Sequence, residues 1–156
     1  DQGRLFLTGR KKELIVTAGG KNVSPEILEN QLATHPLIGH VVVVGDGRKY
    51  IGALITLDPD MLPVWLQKKG LPPVSAAKAA QLPQVRKSLD DAIKRANKAV
   101  SRAESIRRYR IVDAEFTVEN DYLTPSFKLK RSKVLRDFAD EIDAMYAEGE
   151  REKGRS

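Results

Sequence analysis

The sequence contains no cysteine. A chain without cysteine has no disulfide, no thiolate nucleophile and no zinc site built on sulfur ligands. Histidine is scarce as well: the two histidines, His35 and His40, flank a proline turn, and their spacing fits neither one face of a helix nor a common zinc pattern. We therefore expect no metal site in this chain and place both histidines in loop or core positions.

Long hydrophobic runs are also absent. No apolar stretch approaches the ~20 residues that a membrane-spanning helix requires. The first residues, Asp1-Gln2-Gly3-Arg4, include neither an initiator methionine nor the apolar core of a signal peptide. These features predict a segment of a longer polypeptide. They favour a cytoplasmic location and leave membrane association open.

Aromatic residues make up only 6% of the chain. They form no stacking array, and no known nucleic-acid-binding motif is present. The formal net charge of +6 nevertheless favours an anionic partner. Basic residues cluster at positions 10–12, 107–110 and 128–136. Such clusters are typical of a solvated surface, and nucleic acid or a phosphorylated small molecule are the alternatives.

The strands are predicted from short apolar runs in a chain of 156 residues, a length that suits one domain. Residues 5–7 and 14–16, joined by a charged turn, are typical of a two-stranded hairpin. The β-branched run 41–44 shows little alternation, as expected for a strand covered on both faces. A turn that contains glycines follows this run, and residues 51–57 are predicted to be its antiparallel partner. Residues 109–112 are the third strand of the sheet.

Helices are predicted where apolar residues recur at helical spacing, over about residues 24–35, 59–69, 83–102 and 132–146. The first opens with Ser24-Pro25, an N-cap residue followed by proline at the first helical position. The third is cationic and amphipathic, but its apolar stripe lacks Trp and Phe, so core packing is favoured over a membrane surface. The predicted fold class is α+β: a small N-terminal hairpin followed by a central, mostly antiparallel three-stranded sheet packed with helices.

Two segments carry the functional signal: residues 8–23, TGRKKELIVTAGGKNV, and residues 123–131, LTPSFKLKR. Together they resemble the C-terminal domain of adenylate-forming (AMP-binding) acyl-CoA synthetases, and most of all that of long-chain fatty acid–CoA ligases. The resemblance spans about residues 3–146. It implies a mobile C-terminal domain over 1–146, made of a hinge hairpin (1–17) and an α+β body (18–146), and then a charged tail (147–156).

The second segment implies a catalytic lysine. In this superfamily a lysine follows a Thr-Pro-Ser-like turn and supplies a point charge where a carboxylate meets the α-phosphate of ATP. Aligning Thr124-Pro125-Ser126 with that turn assigns this role to Lys128. Phe127 and Asp121 stand where relatives often have glycine, and a larger residue at 127 favours the long-chain branch. Without the resemblance, Lys128 is one of five cations in a solvated run.

The first segment implies a hinge and a nucleotide contact. The superfamily uses two closed states, one for adenylation and one for thioester formation, which are related by rotation of this domain. The register places the hinge at Lys12, with Lys11 as the neighbouring alternative. Arg10 matches an arginine that contacts the nucleotide. Seen in isolation, the same residues are an ordinary charged β-turn.

The glycines of the first segment imply a loop that faces coenzyme A. Gly19-Gly20-Lys21-Asn22 resembles the loop that closes against pantetheine after rotation. Glycine permits close approach of a ligand and a positive φ. Alone, the same four residues would simply be a turn. Glu29, in the family-like stretch that follows, is expected to be structural.

The resemblance implies a domain that supplies Lys128 for ATP-dependent acyl-adenylate formation and then the CoA-facing loop for thioester formation. ATP and Mg²⁺ are expected mainly on the N-terminal adenylation domain of the same polypeptide, with a fatty acid and CoA as the other substrates. We expect no nucleic-acid partner, leave peripheral membrane contact open, and expect the isolated domain to be inactive. Two alternatives remain: a fatty acyl-AMP ligase domain without CoA transfer, and a basic nucleic-acid-binding module.

Overall fold

The computed structural model describes residues 14–155, and side chains as far as residue 148. The predicted strand at residues 5–7, the predicted hinge at Lys12 and the predicted nucleotide contact at Arg10 lie outside the described residues.

The described chain opens with a small antiparallel hairpin of β1 (Ile15–Val16) and β2 (Asn22–Val23). Residues 15–16 were predicted to be a strand, and they pair with β2. Their predicted pairing with residues 5–7 lies outside the described residues. Gly19-Gly20, part of the predicted CoA-facing loop, lie in the turn between the two strands. Gly20 has a φ of +85°, a conformation that glycine adopts without steric cost.

The three-stranded sheet has the order β3 (Ile38–Val44), β4 (Ile51–Leu57), β5 (Ile106–Ile111). The predicted antiparallel pairing of β3 with β4 is confirmed. β5 runs parallel to β4, so one of the two pairings departs from the antiparallel expectation. The reason is the long connection between them, which carries three helices and returns the chain to the end from which β4 began.

Six α-helices surround the described sheet and hairpin. They are α1 (Pro25–Leu32), α2 (Met61–Lys68), α3 (Ala76–Ala79), α4 (Pro83–Asn97), α5 (Arg131–Asp137) and α6 (Ala139–Arg155). The predicted helix over 132–146 is thus two helices, interrupted at Phe138. The last turns of α6 lie within the predicted charged tail. α4 ends earlier than predicted, and the Asn97 side-chain amide bonds both backbone groups of Ile106, at 2.8 and 3.0 Å.

The sheet is covered on both faces, as the β-branched run predicted. Val41 and Val43 belong to an apolar cluster shared with α1, α2 and α4. Val42 and Val44 belong to a second cluster shared with α5, α6 and the segment that follows β5. The second cluster includes Leu123, at the base of the segment that carries Lys128. Between residues 14 and 155, no helix is both long enough and apolar enough to cross a bilayer.

Candidate functional site

Residues 123–130, here called the lysine loop, form a tight hairpin. Leu123 and Leu129 pair as an antiparallel bridge. Inside that bridge, the backbone N–H of Thr124 donates to the carbonyl of Lys128 at 2.8 Å, and the N–H of Phe127 donates to the carbonyl of Thr124 at 2.7 Å. The hydroxyl oxygen of Thr124 accepts a further bond from the N–H of Lys128 at 3.1 Å. Thr124 therefore fixes the backbone on both sides of Phe127 and Lys128.

Phe127 occupies a left-handed position in this loop. Its φ is 65°, and a left-handed residue after a turn is the usual way to close a three-residue hairpin loop. Asp121 adopts the same region, with a φ of 68°. Glycine adopts this region without steric cost. Here two residues with side chains take the glycine conformation.

Lys128 is exposed on the lysine loop. The other four cations between residues 128 and 136 each form an ion pair with a described carboxylate: Lys130 and Lys133 with Asp121, Arg131 with Glu29, and Arg136 with Asp137. The side chain of Lys128 forms neither an ion pair nor a hydrogen bond with any residue from 14 to 148. Its charge is therefore available to an anion that comes from outside the described domain.

Arg131 anchors the far end of the lysine loop to the body of the domain. Its Nη2 lies 2.6 Å from Glu29 Oε1 on α1, and its Nη1 donates to the carbonyl of Val43 at 3.1 Å. Glu29 Oε2 accepts from the N–H of Val43 at 2.9 Å. The Arg131 and Glu29 side chains are only 12% and 15% exposed. Glu29 is thus structural, as predicted, but its partner 102 residues away was not.

Asp121 holds the other side of the loop. Lys130 Nζ lies 2.5 Å from Asp121 Oδ1, and Lys133 Nζ lies 3.5 Å from Oδ2. The hydrogen bond and charge of Lys130, together with Lys133, lower the pKa of the Asp121 carboxyl below its usual range. This carboxylate therefore stays ionised near neutral pH and keeps Lys130 turned toward the loop base.

Residues 17–22, here called the glycine turn, present an open face. The N–H of Gly20 donates to the carbonyl of Thr17 at 2.9 Å, and Thr17 also bonds the backbone of Lys21. A Cβ built on Gly19 or on Gly20 would meet no atom within 4 Å. The turn therefore leaves room for a ligand beside both glycines, while only Gly20 needs glycine for its own conformation.

The glycine turn is attached to the turn between β3 and β4. The N–H of Ala18 donates to the carbonyl of Arg48 at 2.8 Å, and that of Gly47 donates to the carbonyl of Val16 at 2.9 Å. Lys21 and Asn22 are exposed. Glu104 has its pKa lowered mainly by a hydrogen bond from Ser101 and to a smaller extent by the charge of Lys21.

The structure brings the two loops to one end of β3 but not into contact. Arg131 bonds Val43, near the end of the strand, and the glycine turn bonds the residues that follow it. Among the described residues, no hydrogen bond or ion pair joins the lysine loop to the glycine turn. The two loops are therefore separate surfaces on one scaffold.

A serine–histidine pair elsewhere in the domain is structural. His35 Nε2 lies 2.7 Å from Ser88 Oγ, and His35 Nδ1 accepts from the N–H of Leu37 at 3.1 Å. Because Nδ1 accepts a hydrogen bond, Nε2 carries the ring proton and donates a hydrogen bond to the Ser88 hydroxyl. The ring therefore cannot act as a base toward that hydroxyl. Burial, and then the charge of Arg95, lower the pKa of His35.

His40 lies beside Phe116, with ring centroids 5.7 Å apart. Both histidines therefore occupy packed positions, as predicted. In the part of the chain that the structure describes, no group of three or more His, Asp or Glu side chains could hold a metal ion.

Comparison with known proteins identifies relatives along almost the whole chain. Residues 12–150 match the family model of the AMP-binding enzyme C-terminal domain. A long-chain-fatty-acid–CoA ligase of Mycobacterium tuberculosis, FadD15, is 50% identical over 147 residues, which cover 94% of this chain and 24% of that protein. The human long-chain-fatty-acid–CoA ligase ACSBG1 is 32% identical over 164 residues, covering 94% of this chain and 23% of its own.

Solved structures agree with the sequence comparison. The A domain of a carboxylic acid reductase from Segniliparus rugosus, in complex with AMP and a co-purified carboxylic acid, superposes with a TM-score of 0.67 at 25% identity. The match covers 86% of this chain and 20% of that chain. The chain thus spans about a quarter of the length of the curated relatives it matches. It belongs to the family of AMP-binding enzyme C-terminal domains.

Proposed function

We propose that this chain is the mobile C-terminal domain of a fatty acid–CoA ligase and that Lys128 supplies the positive charge for acyl-adenylate formation. The observation that carries the proposal is the pairing pattern around Lys128. Four neighbouring cations are held by carboxylates, and Lys128 alone among the five has no partner between residues 14 and 148. The 50% identity with a long-chain-fatty-acid–CoA ligase supports the choice of substrate class.

The chemistry of adenylation explains the need for such a cation. A fatty-acid carboxylate oxygen attacks the α-phosphorus of ATP, and the bond to the bridging oxygen breaks so that pyrophosphate leaves. Two anions approach each other, and negative charge gathers on the α-phosphate oxygens. A preorganised ammonium group at that point stabilises the transition state. Lys128 is proposed to act as that positive charge, on a loop whose backbone Thr124 holds.

The glycine turn is proposed to act in the second half-reaction. After rotation about Lys12, or about Lys11 if the register is shifted by one, Gly19 to Asn22 face the pantetheine of CoA. CoA loses its thiol proton, the thiolate sulfur attacks the acyl carbonyl, and AMP leaves as the bond between the acyl carbon and the phosphate oxygen breaks. The open space beside both glycines supports this role. Arg10 is proposed to contact the nucleotide.

The remaining ligands are assigned to the rest of the polypeptide. We place ATP and Mg²⁺ mainly on an N-terminal adenylation domain, because the described part of this chain offers no group of side chains that could hold a metal ion. The isolated domain is therefore expected to be inactive, since two domains are needed to build the site.

Product analysis tests this function. The full polypeptide that contains this domain is incubated with a fatty acid, ATP and Mg²⁺, with and without CoA. We expect acyl-CoA and AMP when CoA is present. Accumulation of acyl-AMP with no thioester would instead identify a fatty acyl-AMP ligase. ATP–pyrophosphate exchange by the isolated 156-residue chain would contradict the proposal that two domains are needed to build the active site.

A further inference from the structure

Phe127 is unfavourable in the isolated domain for two reasons. Its φ of 65° lies in the left-handed region, which costs a bulky residue on the order of 1–2 kcal/mol relative to an ordinary conformation. Its side chain is also 73% exposed, a larger fraction than for any other large hydrophobic residue described. Phe116, by contrast, is 3% exposed and packs against three other rings.

Nothing within the described domain requires a ring at position 127. The hydrogen bonds that close the lysine loop come from the backbone and from the Thr124 hydroxyl. A glycine at position 127 would make the same bonds and would remove both the backbone strain and the exposed apolar surface. The stability of the domain alone therefore favours glycine, and the ring must gain its contacts from a surface outside the domain.

The Phe127 ring and the Lys128 ammonium group move together, because both are carried by one backbone segment. Phe127 and Lys128 are consecutive residues, and Thr124 bonds the backbone N–H of each, at 2.7 and 3.1 Å. Any motion that brings Lys128 to a phosphate therefore also brings the Phe127 ring into that neighbourhood. A side chain without a polar atom fits an apolar wall, and its burial there excludes water from the neighbouring charge.

We propose that Phe127 is a positioning residue: its ring packs into an apolar recess of the adenylation domain of the same polypeptide and seats Lys128 beside the reacting carboxylate. This inference rests on the proposed role of Lys128. The backbone strain at position 127 is offset by the burial of the ring in the adenylating state. The contact is absent when the domain turns its glycine turn toward CoA.

Four single variants of the full polypeptide test the proposal: Phe127→Gly, Phe127→Ala, Phe127→Leu and Lys128→Ala. Alanine removes the ring and keeps the strained Cβ, glycine removes both, and leucine keeps an apolar side chain. Two rates are measured in single turnover: acyl-AMP formation, and acyl transfer from preformed acyl-AMP to CoA. Thermal unfolding of the 156-residue chain is measured for the same substitutions.

We expect Phe127→Ala and Phe127→Gly to slow adenylation roughly ten- to hundredfold, the effect of losing one buried aromatic contact. Phe127→Leu should retain most of the rate, and none of the three should change acyl transfer. Phe127→Gly should at the same time raise the unfolding temperature of the domain. Greater stability with slower adenylation is a combination that a merely structural residue would not produce.

If Phe127→Gly and Phe127→Ala form acyl-AMP at the normal rate while Lys128→Ala is impaired, Phe127 is not a positioning residue. The proposed role of Lys128 would then stand unchanged. Normal adenylation by Lys128→Ala would instead overturn the proposed function itself. If the Phe127 variants are slow in acyl-AMP formation with vesicle-borne fatty acid but normal with a water-soluble carboxylate substrate, the ring contacts a bilayer. That result would also overturn the proposed contact with the adenylation domain.

Discussion

Single residues set the shape of both loops through their backbone conformation. Gly20, Asp121 and Phe127 all have positive φ values, of 85°, 68° and 65°. The first is a glycine, and the other two carry side chains. The glycine turn therefore has the residue that its geometry prefers, whereas the lysine loop carries side chains at strained positions next to the proposed chemistry, where such strain is commonly found.

Substitutions at Gly19 and Gly20 distinguish a glycine needed for its backbone conformation from one that only leaves room for a ligand. Gly20→Ala should lower the free energy of unfolding by about 1 kcal/mol, because a Cβ at a φ of +85° is strained although the space around it is open. Gly19→Ala should change stability by less than about 0.5 kcal/mol, as for most surface substitutions. Urea unfolding of the 156-residue chain measures both.

The same pair gives a functional comparison in the full polypeptide. A methyl group on Gly19 projects into open space, where we place pantetheine, so Gly19→Ala should slow acyl transfer to CoA without loss of stability. If Gly19→Ala transfers the acyl group at the normal rate, CoA does not approach this turn.

At the scale of secondary-structure elements, Arg131 and Glu29 join three parts of the domain. Arg131 begins α5, Glu29 lies on α1, and both bond the backbone of Val43 in β3. The pair thus attaches the end of the lysine loop to the sheet. A loop that presents a charge to a reacting phosphate needs such support, because small displacements cost much of the electrostatic stabilisation.

Removing Arg131 should therefore weaken the domain. Arg131→Ala leaves the largely buried Glu29 carboxylate without its cation and should cost about 2 kcal/mol, less than for a fully buried pair because some solvent reaches both groups. Arg136→Ala is the matched control: its pair with Asp137 is exposed, so it should cost less than about 1 kcal/mol. If urea unfolding shows that both variants lose the same free energy of unfolding, the buried pair stabilises the domain no more than the exposed pair does.

Sequence patterns predicted the elements whose signal is local. The β-branched run of β3 and the helical spacing of α4 are read directly from neighbouring residues. The break at Phe138 was missed because the apolar stripe of α5 continues into α6 without a change of period. The parallel pairing of β5 depends on how a long crossover packs, which no local pattern encodes.

The site divides in the same way. Lys128 could be proposed from its motif, whereas the positive φ values at 121 and 127 were not predicted, because both residues carry side chains. The pairing of Glu29 with Arg131 could not be predicted, because the two residues are 102 positions apart and a single sequence carries no signal for such a contact.

At the scale of the whole molecule, one scaffold carries the two surfaces for which we propose functions. The lysine loop and the glycine turn both attach near the end of β3, yet no hydrogen bond or ion pair between described residues links them. A rigid domain of this kind can present one surface or the other to a fixed site if it rotates about its junction. This arrangement is the physical basis for proposing two half-reactions.

The hinge prediction follows from that rotation. Lys12→Pro in the full polypeptide should spare acyl-AMP formation and slow acyl transfer to CoA, because proline fixes φ and removes a backbone donor at the residue that must change conformation. Single-turnover rates for the two half-reactions give the comparison. An equal fall in both rates would make Lys12 structural and point to Lys11 as the hinge.

The most direct test of the central claim compares Lys128→Ala with Lys130→Ala in the full polypeptide. Lys130 is paired with Asp121, so its loss should change the rate of adenylation only slightly. Loss of the Lys128 charge should slow acyl-AMP formation by on the order of 10²–10³ and leave acyl transfer from preformed acyl-AMP nearly unchanged. A larger adenylation defect in Lys130→Ala than in Lys128→Ala would contradict the assignment of Lys128.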